Sequence, residues 1–231
     1  MSDSSVVDLR GITRAYEMGG PIVHALRGID LKVLAGEYLG IIGPSGSGKS
    51  TLLQVLGCLE RPTSGLYRLN GTDVSALSDT ELSRIRATQI GFVFQTFNLI
   101  PQCTVRENVA MPFFYQPNPP TDAERLVERA IERVGLRDRG HHLPAQVSGG
   151  ERQRAAIARA IVVNPAVLLA DEPTGNLDSR TGADILLLFS TLNEAGTTIV
   201  MVTHSREASQ CCHRVLRLTD GLIAGQEEMR S

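Results

Sequence analysis

Apolar and polar positions alternate along the first third of the chain, and two stretches, Val6 to Tyr16 and Ile22 to Leu34, read as β segments around a Met18-Gly19-Gly20-Pro21 loop. Tyr38 to Ile42 is a continuous apolar run ending at a glycine, the pattern of a strand buried on both faces. Leu66 to Leu69 and Asp73-Val74 flank Asn70-Gly71, a strong hairpin signal because both turn positions tolerate left-handed backbone. From Ile100 to Pro165 the period lengthens to that of helices. Ser78 with Glu81, Thr121 with Glu124 and Ser148 with Glu151 each fit the capping box, in which hydroxyl and carboxylate reciprocally satisfy helix-start amides. The second box opens a helix to about Val134, stopped by Gly135, and the third a helix from Glu151 to Val163. After Pro165 the pattern gives a strand over Val167 to Ala170, a helix from about Arg180 to Glu194 and a strand from Thr197 to Val202. A short helix near Arg206 and a hairpin at Asp220-Gly221 follow. Strands alternating with helices predict an α/β fold with a mostly parallel sheet, the helical stretch forming an inserted lobe.

Composition narrows the class. The chain has 231 residues, 23 basic and 25 acidic side chains and a formal net charge of -2. At 42% apolar residues it is too hydrophobic for disorder and long enough for a sizeable core. Balanced charge gives no broad electrostatic reason to expect nucleic acid or an anionic membrane surface as partner. No stretch approaches the ~20 apolar residues of a spanning helix, and Met1 to Leu9 lacks the pattern of a secretory leader. The four cysteines, Cys58, Cys103, Cys211 and Cys212, show no CxxC spacing and predict a reduced chain. Cys211-Cys212-His213 and His141-His142 fit no zinc pattern, and the plain reading is two buried thiols and polar histidines at loop ends.

The chemistry begins at Gly43-Pro44-Ser45-Gly46-Ser47-Gly48-Lys49-Ser50, followed by Thr51, which satisfies G-x-x-x-x-G-K-[ST] between an apolar strand and a helical run to Gly57. Glycines let backbone amides converge on phosphate oxygens at the positive end of the next helix. Lys49 is placed to reach the β- and γ-phosphates and Ser50 to hold Mg²⁺. The chain therefore reads as binding a nucleoside triphosphate. Asp171 and Glu172 end an apolar strand at the sheet edge where α/β folds bind ligands. Asp171 supports the Mg²⁺ shell, and Glu172 polarises a water for in-line attack. Val147-Ser148-Gly149-Gly150-Glu151-Arg152-Gln153 contains a capped helix start, which accounts for Ser148 and Glu151. Two consecutive glycines at a helix start are not accounted for by capping, and they leave amides open for a second anion.

That segment resembles the signature motif of ABC-type ATPases, and the remaining motifs stand in the family's order from about Val6 to Ala224. Gln95 matches the Q-loop glutamine, Asn176-Leu177-Asp178 the D-loop and His204 the switch histidine, while Tyr16 stands where the family places an aromatic against adenine. Gly91 to Pro101, Glu107-Asn108-Val109 and Glu172 to Ser179 resemble the macrolide-exporter and lipoprotein-release branch (MacB/LolD-like). Val147 replaces the commoner Leu, and Glu151 stands where many relatives carry Gln. The resemblance implies a P-loop NTPase core with an N-terminal antiparallel β subdomain and an inserted α-helical subdomain. The expected division is residues 1–96 for the first part of the core, 97–165 for the helical signature subdomain and 166–231 for the rest.

It further implies an ATPase that pairs head to tail with a second copy. Ser148, Gly149, Gly150, Glu151 and Asp178 would then complete the partner's nucleotide site. Glu172 is the general base, His204 keeps γ-phosphate and water in register, and Gln95 senses the metal with Ser50 and Asp171. The cassette would drive a separate membrane permease with an extracytoplasmic domain, at the cytoplasmic face of the inner or plasma membrane. Phe97, Leu99, Ile100, Phe113, Phe114 and Tyr115 are candidates for a groove taking a permease helix; their plain alternative is to seat the lobe on the core. Soluble relatives in DNA repair or translation fit less well, since only about a hundred residues without sustained heptads separate Lys49 from Ser148 and the chain holds one cassette. A cell-division or regulatory role with a permease-like partner stays open. A P-loop kinase or GTPase would leave Ser148, Gly149, Gly150, Asp178 and His204 unexplained.

Overall fold

The structure is a computed structural model and describes residues 5–17, 19 and 21–229. The segment expected as a loop around Met18 and Gly20 therefore lies partly outside the described residues. In chain order come β1 (Ser5–Tyr16), β2 (Val23–Leu34), β3 (Tyr38–Ile42), α1 (Lys49–Leu56), β4 (Ser64–Leu69), β5 (Thr72–Asp73), α2 (Asp79–Gln89) and β6 (Ile90–Val93). Then follow α3 (Val105–Ala110), α4 (Ala123–Arg133), α5 (Gly149–Ile161), β7 (Val167–Asp171), α6 (Ser179–Glu194), β8 (Ile199–Val202), α7 (Arg206–Gln210), β9 (Arg214–Thr219) and β10 (Leu222–Glu228).

A six-stranded sheet in the order β10-β9-β3-β8-β7-β6 is parallel except for β10, and a four-stranded antiparallel sheet runs β2-β1-β4-β5. The expected α/β class with a mostly parallel sheet is what forms. Successive side chains of a strand face opposite ways, so the buried runs of β3, β7 and β8 serve two cores at once. Leu39, Ile41, Val167, Leu169, Val200 and Val202 join one core with α1 and the antiparallel sheet. Tyr38, Leu168, Ala170, Ile199 and Met201 join the other, with α5, α6 and the helices after Ile100. Burial on both faces is why these strands read as unbroken apolar runs.

The Ser78 and Ser148 capping boxes form, with their helices beginning one residue after each serine. The Thr121 box does not. Asp122 is the N-cap of α4 without a side-chain cap bond, and its carboxylate instead accepts from Arg125 at 2.6 Å. A box at Thr104 and Glu107, not anticipated from the pattern, opens α3. Next to it the fully buried Asn108 accepts from the Ile100 amide and donates to the Ile100, Cys103 and Thr104 carbonyls, pinning the loop that enters the helical region. Of the adjacent cysteines only Cys212 is buried, and burial pushes its thiol up to about 12. Cys211 is half-buried, so the expectation of two buried thiols holds for one of them.

Candidate active site

Residues 43–48 turn the chain from β3 into α1. Gly48 is the N-cap of α1 at φ 100°, and it makes no side-chain cap bond. A Cβ there would strike the Ala25 carbonyl oxygen, so glycine is needed for both conformation and space. The amides of the first turn of α1 are thus left to a ligand. Lys49 Nζ donates to the Gly43 and Pro44 carbonyls, both at 2.9 Å. The β9–β10 turn closes over the loop: Gly221 N–H donates to the Ser47 carbonyl at 3.0 Å, and Arg27 N–H to the Gly221 carbonyl at 2.9 Å. A cavity of about 560 Å³ lies above, lined among others by Val23, His24, Gly46, Lys49, Ser50 and Thr51. Pattern reading did not foresee Asp220-Gly221 here, because nothing local in a hairpin turn records which distant loop it packs against. Tyr16 does not line this cavity. It pairs across the strand with Val23, its ring lies 4.6 Å beneath the Arg14 guanidinium, and its hydroxyl donates to Glu60.

Asp171 and Glu172 emerge from β7 in unequal surroundings. Burial, aided by the neighbouring Glu172 charge, raises the Asp171 carboxyl above its ordinary value, while Lys49 pulls the other way. Lys49 is therefore close enough for its charge to be felt. The half-buried Asp171 carboxylate and the exposed Ser50 hydroxyl are hard-oxygen donors of the kind Mg²⁺ takes, and a bound cation would favour the ionised form of Asp171 that burial opposes. Glu172 sits at φ 45°, and its N–H donates to the Val202 carbonyl at 2.9 Å. His204 occupies both of its carboxylate oxygens, Nδ1 at 2.8 Å from Oε1 and the backbone N–H at 3.3 Å from Oε2. Gln95 and Asn176 clasp one another: Gln95 Nε2 donates to Asn176 Oδ1 at 3.4 Å, and Asn176 Nδ2 to the Gln95 carbonyl at 3.0 Å.

The signature segment lies elsewhere. Ser148 Oγ accepts from the Glu151 amide at 3.2 Å and the Ser148 amide donates to the Glu151 carboxylate at 2.8 Å, with Arg139 Nε donating to its other oxygen at 2.9 Å. These contacts hold the Glu151 carboxyl below the usual carboxylate range, the Ser148 amide first among them. A Cβ on Gly150 would come within 2.5 Å of Thr181 Cγ2, so this glycine has a packing reason as well as an open amide. Gly149 has ordinary room, its nearest neighbour being Leu177 Cδ2 at 3.5 Å from such a Cβ. Asp178 caps α6, accepting from the Thr181 amide and hydroxyl at 3.1 and 2.6 Å. Among the described residues no hydrogen bond joins residues 148–151 to residues 43–51, and none of residues 148–151 lines the cavity over Lys49.

The six groove candidates separate. Tyr115 lines a cavity of about 430 Å³ with Phe92, Phe94, Met111, Pro112 and Arg159. Phe113 and Phe114 face a second cavity of about 310 Å³ beside α4. Phe97 lies under the Arg152 guanidinium at 5.5 Å, and Leu99 packs on the core. Ile100 is exposed. A continuous run of aromatics in sequence is thus divided by the turn at 111–115. Two residues escaped sequence reading: Gln153, whose Nε2 donates to the Pro173 carbonyl at 2.7 Å, and Arg159, which donates to the Phe97 and Asn98 carbonyls at 3.0 and 2.6 Å. A polar residue on the apolar face of a helix is the signal that marks Gln153.

Comparison with known proteins agrees with this geometry. Residues 26–175 match the model of a family described as ABC transporter. An uncharacterized ABC transporter ATP-binding protein of Thermotoga maritima is 49% identical over 222 residues, covering 96% of this chain and 95% of that protein. The macrolide export ATP-binding/permease protein MacB of Azoarcus is 44% identical over 94% of this chain, which spans 33% of its length. A dimeric post-hydrolysis state of the ATP-binding cassette MJ0796 bound to ADP and Pi superposes with a TM-score of 0.88 at 41% identity, covering 97% of this chain and 99% of that one. The chain belongs to the ABC transporter family, as an ATP-binding and ATP-hydrolysing subunit.

Proposed function

We propose that two copies of this chain close head to tail around two ATP molecules, and that hydrolysis drives a separate membrane permease. The observation that carries this reading is the separation of the two anion-binding helix starts. Lys49 and the first turn of α1 line one cavity, and none of residues 148–151 lines it. A second chain is the natural supplier of the missing half. The dimeric MJ0796 cassette supports the pairing.

Within each site, Lys49 binds the β- and γ-phosphates, and the amides of residues 46–51 hold their oxygens. Ser50, Asp171 and Gln95 would hold Mg²⁺, which when bound neutralises charge on those phosphates. Glu172 accepts a proton from the attacking water, and water oxygen then joins phosphorus as the bond to ADP breaks. His204, already on the Glu172 carboxylate, orients that base and reaches toward the γ-phosphate. Tyr16, paired with Val23 at the edge of the cavity, would leave Glu60 and turn to stack on adenine. Ser148, Gly149, Gly150 and Glu151 close on the partner's nucleotide, next to Asp178. Residues 97–165 act as the lobe that carries this segment.

The relatives named ATP-binding/permease proteins supply the argument for the partner, since this chain matches only about a third of each. No helix among the described residues is long and apolar enough to cross a membrane. The permease, with its extracytoplasmic domain, is proposed as a separate chain, a reading supported by the Thermotoga maritima ATP-binding protein, 95% of which this chain covers. The cassette would sit at the cytoplasmic face, with the Tyr115 cavity as its docking groove and export, efflux or lipoprotein release as the transport class. Sedimentation of Glu172→Gln tests the core of the proposal. ATP should convert it to a stable dimer while turnover falls about 10²–10⁴-fold. A variant that stays monomeric at saturating ATP, or that hydrolyses at the wild-type rate, refutes it.

A further inference from the structure

The backbone at Glu172 is held against its own preferences. A residue with a Cβ pays for φ 45°, and the proline that follows pushes it toward extended backbone. Such a state persists only where surrounding contacts over-determine it. Two contacts are backbone hydrogen bonds: the Glu172 N–H on the Val202 carbonyl of β8 at 2.9 Å, and the Gly175 N–H on the Glu172 carbonyl at 3.0 Å. The second closes a four-residue turn with Pro173 at its second position. Turn types I and II differ there in which way the Pro173–Thr174 peptide points, and Thr174 keeps a negative φ. The Pro173 carbonyl is taken by a residue from another element, Gln153 Nε2 of α5, at 2.7 Å. Gln153 is fully buried, and its Oε1 has no partner. A buried amide that leaves its own oxygen unsatisfied in order to hold one carbonyl is poor design for stability alone.

We infer that Gln153 is the positioning residue for the Glu172 carboxylate. Its amide fixes the turn that keeps Glu172 left-handed, so the geometry of the base depends on where α5 is seated. This rests on the reading of Glu172 as general base. Helix α5 begins at Ser148, the residue assigned to the partner's nucleotide, so one rigid element touches one ATP at its N-cap and sets the base for the other little more than a turn later. Gln153 thereby links the two sites of the closed pair.

Gln153→Met tests this in the full-length chain, because methionine conserves volume and removes only the amide. Turnover at saturating ATP should fall about 10- to 100-fold, the loss expected from misplacing a catalytic group by about 1 Å. KM for ATP should stay within about twofold, the Hill coefficient for ATP should drop toward one, and Tm should fall by no more than about 2–4 °C, since the orphaned Pro173 carbonyl replaces the unpartnered Gln153 oxygen. In a Glu172→Gln background the same change should cost nothing further, since there is no base left to misplace. Wild-type turnover in Gln153→Met, an equal loss in both backgrounds, or a fall in Tm with unchanged turnover per folded molecule overturns the inference. Wild-type turnover in Glu172→Gln alone would instead refute the assignment of the base.

Discussion

The chain contains two glycine-rich helix starts, at α1 and at α5, and they are finished in opposite ways. The α1 start has a left-handed glycine as N-cap and no side-chain cap. The α5 start has the full reciprocal cap of Ser148 and Glu151, tied further to Arg139. An uncapped start leaves its amides and dipole to the ligand, so it can hold a polyanion unaided. A capped start has already satisfied the third amide and offers only a hydroxyl hydrogen and the glycine amides. It can complete a site but not create one. The proposed roles, α1 as the ATP holder and α5 as the contributor to a neighbour, rest on this physical asymmetry.

The largest effect that separates the two is on ATP affinity. Lys49→Ala should weaken binding about 100-fold by calorimetry, the cost of one strong charge-assisted contact. Ser148→Arg should leave the affinity of a single chain within about twofold while blocking dimerisation. Equal losses in both would erase the distinction. A smaller effect sharpens it: Ser148→Ala should slow turnover about tenfold and destabilise α5 by about 1 kcal/mol, a Tm loss of about 2–4 °C at this chain length. At the α1 start, Ser45→Ala should leave Tm within a degree or so, because no cap there depends on that side chain.

The same contrast explains what the sequence allowed one to read. Local rules found both helix starts, the parallel-sheet class and most elements, because the apolar runs of β3, β7 and β8 and the Ser148 box are local facts. Thr121 misled because the helix starts one residue later, with Asp122 as its N-cap, which leaves Glu124 at the second helical position and out of register with a box. Gln153, Arg159 and the turn at Gly221 were illegible for a different reason. Their roles lie in contacts with segments 20, 61 and roughly 170 residues away, and no periodicity encodes such pairings. The aromatic run 113–115 shows the limit in the other direction: neighbours in sequence were sent to different cavities by one tight turn.

The smallest predicted effects are on stability against pH, and here the two regions should differ in sign. At the capped start, Glu151 has its carboxyl lowered by the Ser148 amide and Arg139. Its folded form binds a proton less readily than the unfolded chain, so its contribution is present above the ordinary carboxylate value and disappears as pH falls through the lowered one. Glu151→Gln can keep the backbone bond and should cost a few tenths of a kcal/mol near neutrality, fading in acid. At the phosphate side, Asp171 has its carboxyl raised, by burial first and then by Glu172. The folded form binds the proton more readily, so stability falls as pH rises from the ordinary carboxylate value through the raised one, and above it the cost of the buried charge stays. Asp171→Asn removes that cost. It should therefore raise the Tm of the nucleotide-free chain at neutral pH, with the gain vanishing in acid, while turnover collapses. Thermal melts of both variants from about pH 4 to pH 8 decide it. If both carboxylates shifted stability in the same direction, the capped start and the phosphate site would not differ in the way their geometry requires.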